Sequence, residues 1–91
     1  MNKSDLIETF ANETNLSLEE AILVVNTFVD CMKESLLAGE RIELRGFGSF
    51  KVKQYEGYIG RNPKTGAMVE VHPKRLPFFR VGKELREFLN A

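Results

Sequence analysis

Ninety-one residues contain no tryptophan, one cysteine, one histidine and three prolines, and the formal net charge is zero. A lone cysteine excludes an intrachain disulfide, which fits a reducing compartment. Cys31 falls on a helical apolar stripe and reads as a small buried hydrophobe. His72 is read as an ordinary strand residue, and no metal-ligand cluster or base near Cys31 is evident, so neither an enzyme nor a cofactor is expected. No apolar run approaches the ~20 residues of a membrane span. Met1-Asn2-Lys3-Ser4-Asp5 lacks the basic and apolar regions of a signal peptide, so a cytoplasmic location without a membrane partner is expected. Repeats, linkers and low-complexity segments are also missing, and the length allows one domain, residues 1–91. A lone chain of this size buries only about 60 to 70% of the surface its unfolded form exposes, so a shared core with a second chain is expected.

The absence of net charge argues at first against a nucleic-acid partner, whose usual footprint is a basic domain. The distribution reverses that argument. Residues 1–38 hold two cations against seven anions, a net of −5, whereas residues 39–83 hold ten cations against four anions, a net of +6. One half is thus suited to an anionic partner while the other stays acidic.

In the acidic half, Asn2 caps a first helix to about Asn12, with Leu6, Ile7 and Phe10 at helical spacing. Ser17 and Glu20 form a capping box for a second helix. There Ala21, Val25, Phe28, Met32 and Leu36 hold a 3 and 4 spacing until Gly39, and Val24, Val29 and Leu37 widen the stripe. So wide a stripe on two helices asks for a second surface, and the same unit of another chain is the simplest supply.

The period then changes from helical to alternating. Ile42, Leu44, Phe50 and Val52 point inward, on either side of a Gly46-Phe47-Gly48 turn. Arg41, Glu43, Arg45, Ser49, Lys51 and Lys53 share the outer face, a basic sheet. From Gln54 to about Arg75 the chain keeps strand character without enough apolar residues to pack a sheet, and a two-stranded arm is predicted. Ten residues per limb would reach some 30 Å. Leu76, Phe78 or Phe79 then return to the core, and Gly82 to Asn90 forms a short last helix with Lys83 at its start.

The arm turns at Gly60-Arg61-Asn62-Pro63-Lys64-Thr65-Gly66. Pro63 fixes its own φ and pushes Asn62 toward an extended backbone, giving a stiff apolar wedge flanked by Arg61 and Lys64. Apolar wedges beside cations are what minor-groove binders insert between base steps, kinking the duplex by roughly 20 to 90°.

Three pieces in this order, Gly39-Glu40-Arg41-Ile42-Glu43-Leu44-Arg45-Gly46-Phe47-Gly48-Ser49-Phe50, the arm tip, and Gly82-Lys83-Glu84-Leu85, closely resemble the HU and integration host factor family of bacterial DNA-bending proteins, nearly end to end. That family is itself a standard example of minor-groove bending, so the binding mode is an implication of the resemblance. The implied fold is α+β: an intertwined dimer with an N-terminal helical hairpin (1–38), a three-stranded sheet saddle with a long β-hairpin arm (39–80, arm 54–75), and a short C-terminal helix (82–90). The implied partner is double-stranded DNA in the nucleoid, bound by a homodimer or a heterodimer with a related subunit, with no small-molecule substrate. Pro63 matches the intercalating proline, with Arg61, Asn62 and Lys64 around it. Lys3, Lys74, Arg80 and Lys83 match phosphate contacts near the arm base and body, and Arg75 is expected among the DNA-binding residues. Glu43 and Arg45 resemble a pair of the beta subunit of integration host factor, in which the acid orients an arginine toward the minor groove. The chain departs from the family in Tyr55, Glu56 and Tyr58, where arginines are common, and in Val81, where a better helix cap is expected.

A second reading is a diverged member of the same fold that serves protein interaction or regulation, with weak DNA affinity. RNA recognition is disfavoured because an RNA-binding sheet presents aromatics on its outer face, and the expected outer face carries Arg41, Arg45, Lys51 and Lys53.

Overall fold

The first two helices begin where a side chain can satisfy their orphan N–H groups. In the computed structural model, which describes residues 1–91, Asn2 caps α1 (Lys3–Thr14) by accepting from the Asp5 N–H, and Asp5 returns the bond to the Asn2 N–H. Asn15 closes the helix in the left-handed region at φ 56°. Before α2 (Leu18–Leu37), the Ser17 hydroxyl accepts from the Glu20 N–H at 3.1 Å, and Glu20 accepts from both the Ser17 hydroxyl and its N–H. Those bonds hold the Glu20 carboxyl below the usual range, the hydroxyl contributing most. Gly39, at φ 80°, follows the end of α2.

The chain divides into two compact units, Met1–Ser35 and Leu36–Ala91. The first buries Ile7, Ala11, Ala21 and Val25, with Phe10 packed against them. The small Ala11 and Ala21 sit among these core residues, but the rest of the stripe has no cover. Phe28 is 51% exposed and Leu23 67%. A groove of about 340 Å³ between the helices is lined only by Leu6, Phe10, Val24, Val25, Phe28 and Val29. Cys31, expected to be buried, is exposed on α2.

The second unit is built on antiparallel strands β1 (Ile42–Leu44), β2 (Gly48–Tyr55) and β5 (Lys74–Val81), in the order β1-β2-β5. A separate ladder joins β3 (Tyr58–Arg61) to β4 (Met68–Val71), and α3 (Lys83–Leu89) follows. Ile42 pairs with Phe50, and Phe50 with Phe79, so these apolar residues share the inner face. The Phe79 ring sits 4.8 Å from Phe50 and 5.5 Å from Phe47. Gly48 is required there, because an added Cβ would come within 2.5 Å of the Arg80 carbonyl and 2.7 Å of the Phe79 ring.

The arm differs from expectation at its base. β2 runs to Tyr55 and β5 starts at Lys74, so Gln54 and Arg75 belong to the three-stranded sheet. The ladder is interrupted at Glu56-Gly57 on one limb and His72-Pro73 on the other. Pro73 has no N–H to donate, and the limbs approach so closely that a Cβ on Gly57 would lie 2.7 Å from the Val71 carbonyl and 2.9 Å from Pro73. His72 therefore lies in this break and not in a strand.

Candidate nucleic-acid interface

Opposed residues of an antiparallel ladder share a face, and the register sorts the candidate residues. Glu43 opposes Ser49, and Ser49 opposes Arg80; Lys51 opposes Phe78, Lys53 opposes Leu76, and Tyr55 opposes Lys74. Ser49, Lys51, Lys53, Lys74 and Arg80 thus lie on one side with Glu43. Arg41 and Arg45 flank β1 and line, with Glu43, Ser49 and Arg80, a shallow depression of about 260 Å³. The only ion pair within 4.0 Å in the chain is Lys83 to Glu87, at 4.0 Å. The cations of the sheet face are therefore not neutralised by close carboxylates, and Glu43 and Arg45 share the depression without an ion pair.

Arg75 corrects the sequence reading. It opposes Gln54 on the inner side, and its guanidinium donates to the carbonyls of Leu36 at 3.2 Å and Leu37 at 3.1 Å. Those are last-turn carbonyls that no intrahelical N–H can satisfy, so Arg75 fastens the end of α2 and is not placed to meet a ligand on the basic face. The choice between Phe78 and Phe79, open in the sequence, is decided by the register. Adjacent strand residues point to opposite sides, so with Phe79 facing Phe50, Phe78 stands among the lysines of the outer face. The Lys53 ammonium lies 3.7 Å from its ring centroid and that of Lys51 6.0 Å. The outer face therefore does present an aromatic residue, and Leu76 lies on the same side. Neither Phe78 nor Leu76 returns to a core.

At the tip the backbone is fastened from within. The Asn62 N–H donates to the Ala67 carbonyl at 2.8 Å, the Gly66 N–H to the Asn62 carbonyl at 2.7 Å, and the Lys64 N–H to the Asn62 side-chain oxygen at 2.9 Å. That side-chain bond bridges Pro63, which stands exposed at the apex with Arg61 and Lys64 exposed beside it. Asn62 thus acts as the brace of the turn. In the limbs, Tyr58, Gly60, Val69 and Val71 share one side of the ladder, with Ile59, Arg61, Met68 and Glu70 on the other. Lys3 begins α1 and Lys83 begins α3, so neither is a residue of the sheet. The residue before Lys83 is Gly82, which makes no side-chain cap, so the capping position is Gly82 and not Val81.

No helix is long and apolar enough to cross a membrane. The family model described as "Bacterial DNA-binding protein" matches residues 1–90. Integration host factor subunit beta of Vibrio cholerae serotype O1 is 50% identical over 91 residues, covering 99% of both chains. That of Hahella chejuensis is 46% identical over 92 residues, covering 100% of this chain and 94% of its own. Among solved structures, HU of Anabaena in a cocrystal with DNA superposes with a TM-score of 0.86 at 32% identity, covering 98% of this chain and 97% of that one. HU from Thermotoga maritima superposes with a TM-score of 0.70 at 27% identity, covering 98% of each.

Proposed function

This chain belongs to the bacterial DNA-binding protein family that contains HU and integration host factor, and from that premise we propose that it is an architectural protein that binds the minor groove of duplex DNA and bends it. The observation that carries this reading is the tip: an exposed proline on a turn braced by four hydrogen bonds, between two exposed cations. A wedge needs that stiffness, because a floppy apolar group would fold back before it could separate stacked bases.

The working unit is a dimer, either of this chain or with a related subunit. The uncovered groove between α1 and α2 supports it, since an exposed apolar surface of this kind is costly in water and is satisfied by a second copy of the same face. Arg41, Arg45, Lys51, Lys53, Lys74 and Arg80 then neutralise phosphates from the sheet, and Lys3 and Lys83 do so from the helices. Glu43 and Ser49 set the polarity of the depression beside Arg45. The arms follow the groove, and Pro63 of each opens a base step, at a cost offset by the contacts that bending permits. No reaction is catalysed, and the place of action is the bacterial nucleoid, in DNA compaction and the assembly of recombination, replication or transcription complexes. Binding without base-edge readout falls steeply with salt, the slope of log affinity against log salt being about −0.9 for each phosphate contact. Fluorescence polarisation of a labelled duplex over a salt series tests it. Affinity that collapses as salt rises supports the proposal, and a folded dimer with negligible affinity at low salt favours the protein-interaction reading instead.

A further inference from the structure

A glycine inside a strand weakens it, because it has no side chain to pack and leaves the backbone loose. β3 carries one, Gly60, placed just before the tip in the limb that has to hold Pro63 against stacked bases. The free chain does not call for glycine at this position. Gly60 does not take a positive φ, and an added Cβ would meet its nearest neighbour, an edge carbon of the Tyr58 ring, in ordinary contact at 3.4 Å. Gly48 differs, since the Arg80 carbonyl and the Phe79 ring leave no room there. Tyr58 and Gly60 share one side of the arm with their cross-ladder partners, Val71 and Val69. The ring therefore lies along its own strand, over the place where Gly60 lacks a side chain. Burial agrees with this: Gly60 is the one partly covered residue of β3, while Tyr58, Ile59 and Arg61 are exposed. An aromatic ring laid over a strand glycine is a known means of pinning a weak strand.

We propose that Tyr58 is a positioning residue for DNA bending: its ring covers Gly60 and stiffens the limb, so that the arm holds the Pro63 wedge in place while a base step opens. This inference rests on the proposed function and adds the part that keeps the wedge from recoiling. A wedge that unstacks bases is pushed back by the stack it opens, and the arm has to bear that push. The turn at the tip is fastened by its own hydrogen bonds. Behind it the weak points are Gly60 and the break at Glu56-Gly57 and His72-Pro73. Motion at the break swings the arm as a unit and leaves its shape intact, whereas flexing at Gly60 lets Pro63 back out. The ring acts by bulk and flatness, and a neutral phenol leaves the count of phosphate contacts unchanged.

Hydrogen exchange of the arm amides, followed by nuclear magnetic resonance on the free protein, reads the stiffness without DNA. Tyr58→Ala should speed exchange in β3 and β4 by about twofold to fivefold, the range of a single cross-strand side-chain contact, and leave the β1-β2-β5 amides unchanged. With a short duplex at saturating protein, the same variant should draw the DNA ends together less, by fluorescence energy transfer, while the salt slope of binding stays that of the parent. Tyr58→Phe, which keeps the ring, should match the parent in both assays. The pairing with Gly60 is tested in the free protein by Gly60→Val, since a β-branched side chain supplies strand stiffness of its own. Added to Tyr58→Ala it should return exchange toward the parent's rate, and added to the parent it should change the rate less, the non-additivity of two residues that act as one. Equal arm exchange by Tyr58→Ala and the parent, additive effects at the two positions, or loss of bending in Tyr58→Phe would each overturn the inference. Equal bending by Tyr58→Ala and a parent that bends overturns it and leaves the proposed function standing. A parent that leaves the duplex straight defeats both.

Discussion

Pro63 and Arg75 show how far residue identity alone carries. Pro63 was legible, because a proline between Gly60 and Gly66 on a hairpin with little to pack announces an exposed turn, and it stands at the apex. Its brace was not legible, since the bond from the Lys64 N–H to the Asn62 side chain depends on a rotamer. Arg75 was misread for a different reason. Lys74 and Arg75 are adjacent and must face opposite sides, but only the pairing of Gln54 with Arg75 says which is inside. The same argument separates Phe78 from Phe79, whose assignment follows from the pairing of Phe50 with Phe79. Arg75→Ala should therefore lower stability by about 1 kcal/mol, the net contribution of hydrogen bonds whose acceptors stay open to water, while the salt slope of DNA binding stays unchanged. Lys83→Ala should do the reverse, reducing the slope by about 0.9 with little change in melting temperature. Thermal melts and salt titrations of the two variants check this exchange of roles.

Elements were read best where a local rule fixes them. The caps of α1 and α2 follow from Asn2, Ser17 and Glu20, and the hydrogen bonds are those that such residues make. The interrupted arm was missed although its signal was present: Gly57 and Pro73 lie close together across the hairpin, and both weaken a ladder. The cap of α2 carries a prediction. Ser17→Ala removes the acceptor for the Glu20 N–H and should cost about 1 kcal/mol. Because the Glu20 carboxyl is held below its usual range in the folded chain, its contribution is complete above the ordinary carboxylate range and fades as pH falls through the lowered value. The stability gap between parent and Ser17→Ala should thus narrow in acid. Denaturation from neutral pH down to about pH 3 measures it, and a gap that is independent of pH would contradict the assignment to this carboxyl.

For the whole molecule, the sequence announced a split between an acidic helical half and a basic sheet half, and this survives in the two compact units. The uncovered apolar stripe was legible too, because two helices leave part of so wide a face without cover, although apolar periodicity marks a face without saying what lies against it. All four buried apolar residues are in the first unit. If a second chain covers the α1–α2 groove, Phe28→Glu would bury an unpaired carboxylate at a cost of several kcal/mol. Light scattering should then report the mass of one chain where the parent reports two.

The central claim is that the stiff tip at Pro63 bends DNA. Energy transfer between dyes at the two ends of a short duplex, with saturating dimer at low salt, compares the parent with Pro63→Ala most directly. The account predicts that the parent draws the ends together and that the alanine variant, though it still binds, leaves the duplex markedly straighter; equal end-to-end approach by both proteins would contradict it.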